Sequence, residues 1–94
     1  MANRDIIARM HRLLDAYEAS EVGPEQLEKS VQFHMEALEA LPYQRIKEAG
    51  SLCHRLVTAH MFMGEEVFID HEDVSEVLRD FRVSFDSLPG GPAG

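Results

Sequence analysis

The apolar residues of this chain recur at helical spacing along its length, and no stretch alternates convincingly like a half-buried strand. Ile6, Ile7, Met10, Leu13, Leu14 and Tyr17 follow i, i+1, i+4, i+7, i+8 and i+11, which puts them on one side of a helix. Such a stripe is stable only when it is covered, so the pattern restricts the fold to helices packed on helices. Asn3 is placed to cap the first helix and Asp5 to meet its dipole, and "EVG" breaks the pattern.

Helix two is announced by "VGPEQL": Pro24 suits the first helical position, and Val22 and Leu27 have the spacing of a hydrophobic staple. Leu27, Val31, His34, Met35, Leu38 and Leu41 share its inner face, and Pro42 ends it or opens the next helix. The third run, over residues 43–63, places Ile46, Ala49, Gly50, Cys53, Leu56, Val57, His60 and Met61 on one side. Ala49, Gly50 and Cys53 form a small-residue patch there, open to close approach by a neighbour, and Gly64 ends the helix. Helix four is expected to start with Asp70 as N-cap and Ile69 stapled on Val74, and to bury Val74, Val77, Leu78, Phe81, Phe85 and Leu88. The expected fold is all-α, an antiparallel four-helix bundle in one domain over residues 1–88, with "PGGPAG" at 89–94 as a flexible tail.

Charge narrows the function. Formal net charge is −8, which disfavours binding nucleic acid or anionic membranes through a basic face and suits a basic protein partner. Cys53 is the one cysteine, so no internal disulfide can form, and the chain reads as cytoplasmic. "MANRDIIARM" lacks the apolar core of a signal peptide, and no apolar run approaches the roughly 20 residues that span a bilayer.

No glycine-rich phosphate loop, HExxH or Cys-x-x-Cys is present, and none of the five histidines stands in a Glu-x-x-His pair. His34 and His60 fall on apolar faces and could meet inside a bundle, although a satisfied or rim-facing histidine is the ordinary outcome. Cys53 is followed by His54, but adjacent helical residues point about 100° apart, so His54 is poorly aimed to act as its base. Paired acids such as Glu65 and Glu66 have no pocket to separate their pKa values. The expectation is a protein that is not an enzyme, with no metal and no cofactor.

The densest charge lies in "GEEVFIDHEDVSEV", where Glu65, Glu66, Asp70, Glu72, Asp73 and Glu76 surround Phe68 with no Lys or Arg among them. Asp70, Glu72 and Asp73 are explained in part by a helix start, where each carboxylate gains about 0.3–1 kcal/mol from the dipole. Glu65 and Glu66 are not. A partner surface accounts for both, with the charge steering a basic protein on encounter and Phe68, Tyr43 or Phe62 anchoring it. Helix two carries a second acidic face, Glu25, Glu28, Glu36 and Glu39 against Lys29.

"LLDAYEASEVGPEQLEKSVQFHMEALEALP", followed by an acidic third junction, resembles the colicin D and pyocin type immunity proteins that neutralise nuclease toxins. The likeness spans Leu13 to Pro42, together with length and charge. "EQLEKSVQFHMEALEALP" is also similar to helix two of the colicin E-type DNase inhibitors, but their Tyr-Tyr-Pro motif is missing, so no residue role is carried over. The resemblance implies a non-catalytic inhibitor of a cognate nuclease domain, its carboxylates standing in for phosphates. The alternative is a structural or regulatory subunit that self-associates through Phe and Met side chains; the chain is expected to be a monomer or weak homodimer.

If residues 65–76 meet a basic partner, neutralising Glu65, Glu66, Glu72 and Asp73 to Gln or Asn should slow association. The effect should shrink with added salt, since exposed charges are screened beyond about 8–10 Å. Phe68→Ala should mainly speed dissociation. Stopped-flow or surface-binding kinetics in low and high salt separate these outcomes, and an unchanged on-rate in low salt would leave the segment a solvated helix start.

Overall fold

Four stretches of the chain carry a helical stripe flanked by breakers, and four helices form among the described residues. The computed structural model describes residues 3–39, 41–61 and 73–93. They contain α1 (Asn3–Glu18), α2 (Pro24–Ala37), α3 (Tyr43–Met61) and α4 (Val74–Asp86), and no strand occurs among the described residues. α1 and α3 each pack against both α2 and α4. The Cα radius of gyration, 13.4 Å, is close to the roughly 12–13 Å of a compact chain this long.

The stripes of α1 and α4 lie inside as the spacing requires. Met10, Leu14, Val31, Val77, Phe81 and Leu88 are completely shielded from solvent, and the tilted rings of Phe81 and Phe85 stand 5.5 Å apart. Pro24 opens α2 behind Gly23 as N-cap, with Leu27 buried and Val22 packed against the core. α2 stops at Ala37, and Leu38, in an extended conformation, carries its buried side chain past the helix end.

α1 ends where Ser20 adopts φ 61°, a left-handed conformation that normally favours glycine. The Glu21 N–H donates to the Ala16 carbonyl and the Ser20 N–H to the Tyr17 carbonyl, which closes the helix as a Schellman turn. Gly23, the glycine of "EVG", starts the next helix instead.

α3 corrects the expected face. Its buried residues are Ala49, Leu52, Cys53, Leu56 and Ala59, while Ile46 is 47% and Met61 65% exposed. The inner stripe is rotated toward Leu52 and Ala59. A Cβ added at Gly50 would meet nothing within 4 Å, so no helix approaches closely there.

α4 begins later than expected. Asp73, not Asp70, holds the N-cap position, and its side chain makes no capping hydrogen bond. Asp70 and the Ile69 half of the proposed staple lie outside the described residues.

Asn3 does not act as a cap. It lies in α1, and its amide bridges three parts of the chain: Nδ2 donates to the carbonyls of Glu39 (2.9 Å) and Pro89 (3.0 Å), and Oδ1 accepts the Glu39 N–H at 2.9 Å. Residues 89–93, expected from composition to be a flexible tail, form turns that fold back on the helix ends. The Gly91 N–H donates to Leu88 and the Ala93 N–H to Asp86. Gly90 has φ 91°, and a Cβ on Gly91 would fall 2.5 Å from the Asp86 carbonyl oxygen, so both positions need glycine.

The bridge and a cap respond differently to mutation. Aspartate is as good an N-cap as asparagine, but it lacks the Nδ2 donor and would set a carboxylate against two carbonyls. Asn3→Asp and Asn3→Ala should each cost about 1–2 kcal/mol in denaturant unfolding. A neutral Asn3→Asp would restore the capping role.

Candidate functional site

Of the acidic segment expected to bind a partner, Asp73 and Glu76 are described. Both are exposed at the start of α4, and no Lys or Arg occurs between Arg55 and Arg79. Glu65, Glu66, Phe68, Asp70 and Glu72 lie outside the described residues, as does the anchor candidate Phe62. Tyr43, the third anchor candidate, is 71% exposed at the start of α3, with the Lys47 ammonium 5.7 Å from its ring centre.

The acidic face of helix two is described throughout. Burial of Leu27, Val31 and Met35 turns Gln26, Lys29, Phe33 and Glu36 outward at three- and four-residue spacing. Glu21, Glu25, Glu36 and Glu39 are exposed along the same segment, where Lys29 is the single Lys or Arg. In their midst Phe33 is 70% exposed, its ring meeting His34 edge-on at 5.6 Å. Phe33 was not among the aromatic anchors read from the sequence. Its signal was present, since it falls off the stripe of Leu27, Val31, Met35 and Leu38.

The opposite ends of the helices enclose a cleft of about 760 Å³, lined from α1 by Tyr17 and Glu18, from α3 by His60, and from α4 by Leu78, Arg79 and Arg82. Arg82 donates to Asp15 and Glu18, each at 2.7 Å. The bond to Glu18 leads the effects that raise its pKa further. A groove of about 360 Å³ between α3 and α4 is edged by the ion pairs Arg45–Glu48 and Arg55–Asp80.

Comparison with known proteins returned no match to a family model, a curated protein or a solved structure. Function therefore rests on these surfaces alone.

His34 and His60, which share apolar faces, each take a separate hydrogen-bond partner. His34 Nδ1 donates to the Ser30 carbonyl one turn back at 2.6 Å, while His60 Nδ1 is 2.5 Å from the Tyr17 hydroxyl. His11 Nε2 lies 2.8 Å from an Asp86 carboxylate oxygen. Among the described residues no three His, Cys, Asp or Glu side chains are grouped to hold a metal. No described helix is long and apolar enough to cross a membrane.

Cys53 is buried and His54 exposed, so the two side chains part company as helical geometry requires. Burial, and secondarily the negative charge of Glu28, pushes the Cys53 thiol up to about 12. The thiolate is the reactive form. Near neutral pH, labelling of Cys53 by a disulfide reagent should proceed only through opening of the fold, and should accelerate sharply in denaturant. The folded thiol titrates above the unfolded one, so its contribution to stability is present below the ordinary thiol range and declines as pH rises toward about 12. Rapid stoichiometric labelling of the native protein would contradict this burial.

Proposed function

We propose that this chain is an acidic, non-catalytic binding module for a basic protein, and more specifically an immunity-like inhibitor of a nuclease toxin domain acting in the cytoplasm. The observation that carries the proposal is Phe33, a 70% exposed aromatic on the outer face of α2, with Glu36 one turn on, Lys29 one turn back, and Glu25 and Glu39 further along the same acidic segment. Long-range charge raises the encounter rate and a desolvated aromatic holds the complex. In this reading α2 and the acids from Glu65 to Glu76 are two parts of one electrostatic surface.

The proposed scaffold is an antiparallel four-helix bundle over residues 1–88. It is supported by contacts that set the start of α1 beside the residues just past α2 and α4, Asn3 with Glu39 and Pro89, and that then run back along α4 as α1 advances, from His11 with Asp86 to Asp15 and Glu18 with Arg82.

A second reading has its own observation. Tyr43 and Ile46 near the start of α3 and Met61 at its end are all substantially exposed, apolar groups that a second copy of the chain could cover. Light scattering separates the two: a dimer lost on Ile46→Glu or Met61→Glu favours self-association, and a monomer favours the inhibitor.

The inhibitor reading is tested with a basic nuclease domain encoded beside this reading frame. The chain should suppress cleavage of nucleic acid at equimolar ratio. Phe33→Ala should raise the dissociation rate on the order of tenfold or more, as loss of an anchor worth about 2 kcal/mol does. Glu25→Gln with Glu36→Gln should slow association in low salt while leaving thermal stability nearly unchanged. Wild-type kinetics in all three substitutions would remove α2 from the interface, and undiminished cleavage would remove the inhibitory role.

A further inference from the structure

His34 follows Phe33 on α2, and its ring meets the Phe33 ring edge-on at 5.6 Å. A backbone carbonyl can only accept a hydrogen bond. The 2.6 Å contact with the Ser30 oxygen therefore fixes the proton of the neutral imidazole on Nδ1 and leaves Nε2 as the lone-pair nitrogen. Nε2 has no partner among the described residues, where no buried side-chain nitrogen or oxygen is left without one. Nε2 is thus open to solvent. The ring is held by one nitrogen and offers the other beside an exposed aromatic.

No counter-ion stands ready for a charge on that ring. The bond from Asn3 to Glu39 brings the start of α1 to the end of α2 where His34 lies, and α3 starts just beyond that end. Arg4, Asp5 and Arg9 on α1 are exposed and make no ion pair or hydrogen bond with His34. On α3, Arg45 is paired with Glu48, and Lys47 lies over the Tyr43 ring. On α2 itself, Lys29 and Glu36 are exposed and unbonded to the ring. A proton gained on Nε2 therefore adds an unpaired positive charge to the face whose glutamates attract a basic protein.

We propose that His34 is a hydrogen-bond acceptor for the basic partner and that acid releases the complex. The inference rests on the outer face of α2 being the partner surface. Neutral His34 takes an N–H of the partner on Nε2, next to the Phe33 anchor. The protonated ring carries N–H on both nitrogens, so the acceptor is lost and a like charge faces the partner. Imidazole is the side chain that ordinarily changes charge between pH 5 and 8, an interval over which carboxylates as a class stay ionised. The steering charge persists while the contact beside Phe33 is switched off.

The first arm of the test needs no partner. Nitrogen-15 NMR of the free chain near pH 8 should show the His34 proton on Nδ1 alone, and a proton on Nε2 instead would overturn the proposal. The second arm measures binding of the basic nuclease domain encoded beside this reading frame at about pH 7.5 and about pH 5.5. The wild-type chain should lose affinity on the order of tenfold between them, the reach of one imidazole whose neutral form alone binds. His34→Gln keeps an acceptor oxygen without a titrating ring, so it should lose markedly less over the same interval. Titrations of the nuclease are common to both chains and cancel in that comparison. An equal acid response in wild type and His34→Gln, or a tighter wild-type complex in acid, would overturn the proposal and leave the α2 surface standing. No binding at either pH would remove that surface, and this inference with it.

Discussion

Burial of one apolar stripe per helix is the constraint on which the rest of this molecule depends. Helices of 13 to 19 residues are marginal in water by themselves, and a single cysteine cannot staple them. Their stability comes from covering one another, in one cluster to which all four helices contribute and in which Met10, Leu14, Val31, Val77 and Phe81 are wholly shielded. The polar features are arranged around that requirement. The ion pairs lie at the surface, where each contributes about 0.2–1 kcal/mol and orients helices more than it holds them. No buried side-chain polar atom is left without a partner among the described residues.

How legible this was in the sequence depended on how local the determining physics is. The stripes of α1 and α4 could be read directly, because most of the large apolar residues of each fall on one side, Val83 of α4 being the exposed exception. α3 has apolar residues over a much wider arc, from Ile46 and Met61 on one flank to Leu52 and Ala59 on the other. Which part of that arc turns inward is decided by where α2 and α4 lie, and spacing within one helix carries no record of its neighbours. Asn3 shows the same limit in another form. Its residue type and position suit a cap, whereas its partners are 36 and 86 residues away.

The functional surfaces divided in the same way. Net charge and the acidic runs on α2 and before α4 are compositional, so they could be read without a fold. The exposure of Phe33 was legible as well, because spacing alone turns Leu27, Val31 and Met35 inward and Phe33 falls off their stripe. The cleft required four helix ends from distant parts of the chain to assemble, and no local motif marks it.

The bridge at Asn3 has a consequence for how the chain can be rearranged. Asn3 binds Pro89, and Gly90 lies so near that a Cβ on it would meet the Asn3 Cβ at 2.8 Å. The first and last described turns therefore share one pole of the molecule. The cleft occupies the other, a length of α1 away, about 24 Å for its 16 residues. Joining the two ends by a short linker and reopening the chain between α2 and α3 would yield a circular permutant with every helix pairing kept. The same geometry means that a polypeptide joined at either of these turns would leave from the same pole, far from the cleft.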